Sequence, residues 1–135
     1  MKHALSVCLL LSALAACAVP RVDVIQVGPW FQARHWKQVE VFTSKEETRK
    51  PWGAIAVMHG ERIRYRDLRS FERYTKKARQ LAADIGADAI IVSPEPVNDT
   101  ASPGSYREGP TGMVVLTGVA IKYEENVPAR TRRGP

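Results

Sequence analysis

One stretch of this chain restricts the possible folds more than any other. From position 68 to 85, Leu68, Phe71, Tyr74, Ala78, Leu81, Ala82 and Ile85 recur at spacings of three and four residues. That period lines them up on one stripe of an α-helix. Asp67 stands where an N-cap belongs, its carboxylate able to accept from the unpaired N–H groups of the first turn. Gly86 stands where a left-handed C-terminal stop belongs. A single amphipathic helix needs an apolar surface to cover, and the segments around it have the lengths of strands.

Those segments are read in chain order. Residues 37–43 alternate, with Val39 and Val41 on one face and Glu40 and Phe42 on the other. Residues 44–52 form a polar connection closed by Pro51. Gly53 to Met58 is an apolar run of buried-strand length, and His59-Gly60-Glu61 has the composition of a turn. Arg62 to Tyr65 then alternates basic and apolar residues, either as a further strand or as an extended lead into the helix. Asp88 to Ser93 follows the helix after two residues, and residues 94–112, rich in Pro and Gly, are predicted to be a loop. Met113 to Tyr123 is the last strand, apolar on both faces, and residues 124–135 are a polar tail carrying Arg130, Arg132 and Arg133.

The expected class is α+β: a small mixed sheet of three to five strands, order β-β-α-β-β, with one helix on one face. A strand–helix–strand unit in one sheet is normally a parallel crossover, and the last strand is expected to pair antiparallel with its predecessor. One helix covers only one sheet face. The other is expected to be covered by the aromatic segment around Trp30, Phe31 and Trp36, or else by a second subunit. That aromatic group is read as the lid of a core, with an interfacial contact as the alternative.

The N-terminus has a different character. After Met1-Lys2-His3, the thirteen residues Ala4 to Ala16 carry no charge. The run is too short for a transmembrane helix, which needs about 20 apolar residues, and has the length of a signal-peptide core. It ends in Leu14-Ala15-Ala16-Cys17, which resembles the lipobox of bacterial lipoprotein precursors at all four positions. The resemblance implies cleavage before Cys17, leaving residues 1–16 as the signal peptide, and acylation of the Cys17 thiol and amine. Residues 17–36 then become a lipidated N-terminus and tether, within which a short edge strand can dock. Residues 37–123 form the domain. The membrane is the implied partner, since several acyl chains hold a protein stably where one does not. Ala18 stands where an Asp would retain such a protein at the inner membrane of a Gram-negative cell, so the outer membrane, periplasmic face, is the implied location in such a source. An ordinary cleaved signal with a chance cysteine is the alternative.

The same resemblance changes what the two cysteines mean. Cys8 would be discarded and Cys17 acylated, leaving no thiol for a disulfide or a metal site. The segment from Lys77 to Val92, KARQLAADIGADAIIV, is further similar to the helix–GAD–strand unit of small envelope lipoproteins, the Rcs envelope-stress sensory lipoproteins among them. Unlike that sensor, whose fold is held by disulfides, this mature chain has none to form.

Catalytic patterns are scarce. His35 and His59 lack metal-ligand spacing, and no G-x-S-x-G, H-E-x-x-H or phosphate-binding glycine loop occurs. Asn98-Asp99-Thr100 matches a glycosylation acceptor by pattern alone. Asp84 and Asp88 straddle Gly86 and are better explained by a helix end than by acid–base work. No cofactor is expected. The charge is more informative. Between Arg62 and Arg79 eight basic residues face two acidic ones, a surplus as large as the +6 of the whole chain. Arg69, Arg73, Lys76 and Lys77 fall away from the apolar stripe and form a candidate anion-binding surface; an ordinary solvated helix back is the plain alternative. With a lipidated start, the anions implied are those of the envelope, with or without a protein partner, and not nucleic acid. The expected function is non-enzymatic binding or sensing at the membrane. The alternatives are an accessory subunit of a larger envelope complex and, last, a small hydrolase or metal binder.

Overall fold

The computed structural model describes residues 19–97 and 112–129. Its elements are β1 (Asp23–Gln26), β2 (Glu40–Phe42), β3 (Trp52–Arg64), α1 (Leu68–Asp84), β4 (Ala89–Pro96) and β5 (Met113–Tyr123). Single turns of 3-10 helix occur at Trp36–Gln38, Lys45–Glu47 and Glu124–Asn126. All five strands lie in one sheet of spatial order β1-β3-β5-β4-β2. β5 is antiparallel to both β3 and β4, β1 is antiparallel to β3, and β2 is parallel to β4. β3 and β4 therefore run the same way with β5 between them, and α1 is the crossover that joins them. The α+β class, the mixed sheet and, among the described residues, the single α-helix are as the sequence predicts. The order is β-β-β-α-β-β, because residues 23–26 dock on β3 as a true edge strand.

The helix is held at both ends as its caps predict. The Asp67 carboxylate accepts from the Ser70 backbone N–H at 3.1 Å. At the other end Gly86 has φ +76°, Gly86 N–H donates to the Ala83 carbonyl and Ala87 N–H to the Ala82 carbonyl. These two bonds satisfy the last carbonyls of the helix. The core lies between α1 and the sheet, where Tyr74, Ala78 and Ala82 meet Met58, Ile90, Val92, Leu116 and Ala120. Leu68, predicted on this stripe, is 72% exposed. At 100° per residue it stands about 120° round the helix from Tyr74, which takes it off the buried face.

β3 is one strand of 13 residues where the sequence suggests a strand, a turn and a doubtful extension. His59-Gly60-Glu61 is not a turn. His59 pairs with Thr117 and Arg62 with Val115, so β3 advances three residues while β5 advances two. The extra residue is a β-bulge. A Cβ on Gly60 would lie 2.5 Å from the Tyr74 ring, so glycine is required there by close approach, not by a chain reversal. β4 likewise extends into the predicted loop, through Pro94 to Pro96. β2 ends opposite Ile91, so beyond that point the outer edge of β4 has no neighbouring strand among the described residues. Val97 N–H donates inward to Met113; by alternation the missing N–H groups of Pro94 and Pro96 face the open edge, where they cost no ladder bond. At the start of the domain only Glu40–Phe42 of the predicted strand 37–43 is extended in the sheet.

The aromatic segment lies on the side opposite to expectation. Phe31 and Trp36 pack on the helix-side core. Phe31 N–H donates to the Ile85 carbonyl and Arg34 N–H to the Ala83 carbonyl, each at 3.0 Å, which fastens the segment to the end of α1. Trp30 is half exposed. The far face of the sheet has its own smaller cluster instead: Ala89, Ile91, Ile121 and Tyr123, flanked by Phe42, Trp52 and Val119.

Candidate functional site

Four kinds of side-chain grouping in the molecule could carry chemistry. The most strongly held is the carboxylate of Asp88, 3% exposed, at the junction of α1 and β4. Arg34 donates to its Oδ1, Lys122 Nζ donates to the same oxygen at 3.1 Å, and the Tyr123 N–H donates to Oδ2 at 2.9 Å. Burial alone would favour the protonated acid. The Tyr123 N–H, the Asn126 side chain and Lys122 outweigh it and hold the carboxyl below its usual range. Lys122 also donates to the Gly86 carbonyl at 2.9 Å and lies 5.0 Å from the Phe31 ring centre. Asp88 thus ties the helix stop, the aromatic segment and the end of β5 together. Both its oxygens are occupied, so it is a structural clamp rather than an acid or base.

The second grouping is polar and runs across the far face of the sheet. Asp23 pairs with His59, His59 with Thr117, and Thr117 with Ser93, on four successive strands. The Thr117 hydroxyl is buried without a hydrogen-bond partner among the described residues. The row contains the residue types of a nucleophile–base–acid relay, yet no hydrogen bond joins its members among the described residues. It is a row by register and not an assembled relay. No group of three or more metal-ligating side chains occurs among the described residues.

The third grouping surrounds Trp36 on the outer flank of α1. Lys37, Lys76 and Arg79 place their cationic ends 5.8, 6.0 and 5.3 Å from the indole ring, and His35 stacks beside it. Arg79 donates to the Val39 and Lys37 carbonyls at 2.7 and 2.9 Å, which makes it a brace between α1 and the segment before β2. The predicted anion surface is thereby divided. Lys76 leans toward Trp36 and Lys77 is half-buried, whereas Arg69 and Arg73 are exposed on the first turns of the helix. Arg73 donates to the Ser70 hydroxyl at 3.2 Å. The same hydroxyl and the Ser70 N–H hold the Asp67 carboxyl below its usual range.

The fourth grouping extends that exposed half. At the end of the molecule where β3 hands over to α1, Arg62, Arg64, Arg66, Arg69 and Arg73 are all exposed. Among them Tyr65 is 67% and Leu68 72% exposed. Both rim an apolar cleft of about 400 Å3 between the first turns of α1 and the sheet, floored by Ile63, Phe71, Val92 and Leu116. Val19, 65% exposed, borders an adjoining hollow with Ile63, Ser70, Arg73 and Leu116. The sequence points to the arginines but not to the apolar pair, because Tyr65 and Leu68 match core positions in a pattern read without its third dimension. Cys17 and the arginines at 130, 132 and 133 lie outside the described residues. No described helix is long and apolar enough to cross a membrane.

Neither a family model nor a curated protein matches the chain. Among solved structures, the crystal structure of the Francisella virulence factor FvfA, in its orthorhombic form, is similar over 75% of this chain and 96% of its own. The identity is 19% and the TM-score 0.49.

Proposed function

We propose that this chain is a lipid-anchored protein of the bacterial cell envelope, acting by binding or sensing at the periplasmic face of the outer membrane and not by catalysis. The observation that carries the reading is Leu14-Ala15-Ala16-Cys17 at the end of an uncharged run of thirteen residues. A basic surface on the body, with Arg69 and Arg73 exposed, supports anionic envelope components as what it binds. The test is Cys17→Ser in cells supplied with an alkyne-bearing fatty acid. The parent chain is expected to take up the label and to sediment with outer-membrane vesicles. The variant is expected to stay unlabelled and at precursor length. Equal labelling of both, or none of the parent, would overturn the anchor.

One observation favours a second reading, an accessory subunit of a larger envelope complex. Ile25 is half exposed on the far sheet face, beside half-buried Val57 and Val119. Crosslinking in intact envelopes separates the two: a fixed stoichiometry with one protein supports the subunit, and adducts dominated by lipid or polymer support the first reading.

A further inference from the structure

The three most exposed large apolar side chains of the described residues are Leu68, Tyr65 and Val19, at 72, 67 and 65%. Val19 is far in sequence from Tyr65 and Leu68, yet all three meet at one end of the molecule, around walls shared by Ile63 and Leu116. Arg66 lines the cleft and Arg73 the hollow, Arg69 is exposed next to Leu68, and Arg62 and Arg64 are exposed on the adjoining end of β3. The carboxylates nearby are Glu61, Asp67, Glu72 and Glu95, the last sharing Val115 as a neighbour with Arg62, and Asp67 is turned onto Ser70 as the helix cap. Apolar tips interleaved with guanidinium groups suit the boundary of a bilayer: the tips enter the acyl region while the arginines stay at the phosphates. A tyrosine at that level is itself typical of such boundaries.

The chain path supplies the second argument. Val19 is two residues from Cys17. A fully extended chain gains at most about 3.6 Å per residue, so an acylated Cys17 sits within roughly 7 Å of Val19. β1 begins four residues after Val19 and runs antiparallel to β3, so the approach to the membrane leaves along the end of β3 nearest Arg64. We infer that this end, Tyr65 and Leu68 with Arg66, Arg69 and Arg73, is the face that rests on an anionic bilayer, holding α1 with its first turn at the lipid. The inference rests on the acylation of Cys17 and adds an orientation to it. In this posture Asp84, 16 residues along the helix from Leu68, stands about 24 Å from that first turn along the axis.

The processed, full chain allows a direct measurement, because cleavage removes Cys8 and acylation consumes the Cys17 thiol. A single introduced cysteine then carries the only spin label. Leu68→Cys, Tyr65→Cys and Asp84→Cys replace exposed side chains and are expected to fold as the parent does. Each is reconstituted in vesicles of phosphatidylethanolamine and phosphatidylglycerol at 3:1, and in phosphatidylcholine vesicles. In the anionic vesicles the labels at 65 and 68 are expected to meet dissolved oxygen far more than a water-soluble nickel chelate, and the label at 84 the reverse. Adding Arg66→Glu, Arg69→Glu and Arg73→Glu is expected to return the label at 68 to water. A parent with no free thiol but a label at 68 as wet as the label at 84 overturns the orientation alone. So does a label at 68 that is immobile and shielded from both reagents in either vesicle, which marks a protein contact instead. A parent that still titrates one free thiol overturns the anchor, and the orientation argued from it falls as well.

Discussion

Asp88 illustrates how much one side chain holds in a domain without disulfides. Its carboxylate receives Arg34, Lys122 and the Tyr123 N–H, one partner from the aromatic segment and two from the end of β5. Removing one member of a buried ion pair leaves the others desolvated and unpaired, at about 3–5 kcal/mol. Asp88→Ala is therefore expected to lower the unfolding free energy measured in urea by an amount of that order. The pH dependence follows from the lowered pKa. The folded form holds fewer protons than the unfolded form near the ordinary carboxyl value of 3.8, so the stabilisation is present above that value and is lost as pH falls below it. Asp88→Asn is expected to flatten this acid limb, as followed by denaturation at a series of pH values. The sequence points to Asp67 and Gly86 because a cap is a local pattern of two or three residues. It does not show the Asp88 clamp, since Arg34 and Lys122 lie 54 and 34 residues away along the chain. The resemblance of the GAD segment to small envelope lipoproteins marks the position without giving that reason.

Among the elements, β3 shows where reading by period fails. Its two register shifts, at Ala54/Ala56 and His59/Arg62, each break the alternation by one residue. A pattern of period two therefore dissolves into an apolar run, an apparent turn and a doubtful extension. The structural reason at the second shift is Tyr74, whose ring presses on the strand at Gly60 and whose hydroxyl donates to the Met58 carbonyl at 3.0 Å. That hydroxyl is buried, which raises its pKa and keeps it protonated as a donor. Gly60→Ala is expected to displace the ring and break this bond. The cost is about 1–3 kcal/mol from overpacking, with about 1 kcal/mol more from the lost hydrogen bond. Tyr74→Phe, which loses only the hydroxyl, is expected to cost about 1 kcal/mol. Chemical denaturation of both variants checks the ranking; equal losses would mean that the ring does not touch the strand. α1 is the opposite case. Its stripe, its cap and its stop are all contained within about 20 residues, and they were legible for that reason.

At the scale of the whole molecule, the two outer strands are the shortest: β1 has four residues and β2 has three. Short edges limit the unpaired backbone available to another sheet. Behind β1 lies β3, 13 residues long and with Ile55, Ala56 and Met58 buried. Made without residues 1–18, the chain is expected to keep a monomeric mass in light scattering; deleting residues 19–27 as well is expected to bare that edge and to give assemblies. An oligomer in the chain that keeps residues 19–27 would show that the half-open far face already pairs. The fold class was readable here because one helix and several strand-length runs admit few arrangements. Which sheet face the aromatics cover was not. That depends on the two bonds to Ile85 and Ala83, which join backbone groups whose side chains carry no signal of the pairing.

The direction of β1 has a mechanical consequence. Its residues 23–26 pair in order with 59–56 of β3, so its N-terminal end points toward the arginine-rich end of the body. A pull transmitted from Cys17 would therefore act along the strand, loading its ladder hydrogen bonds together in shear instead of opening them one after another. A four-residue edge strand held in that geometry resists detachment better than its length suggests, and with Cys17 acylated as proposed, drag on the body would reach the lipid through the sheet.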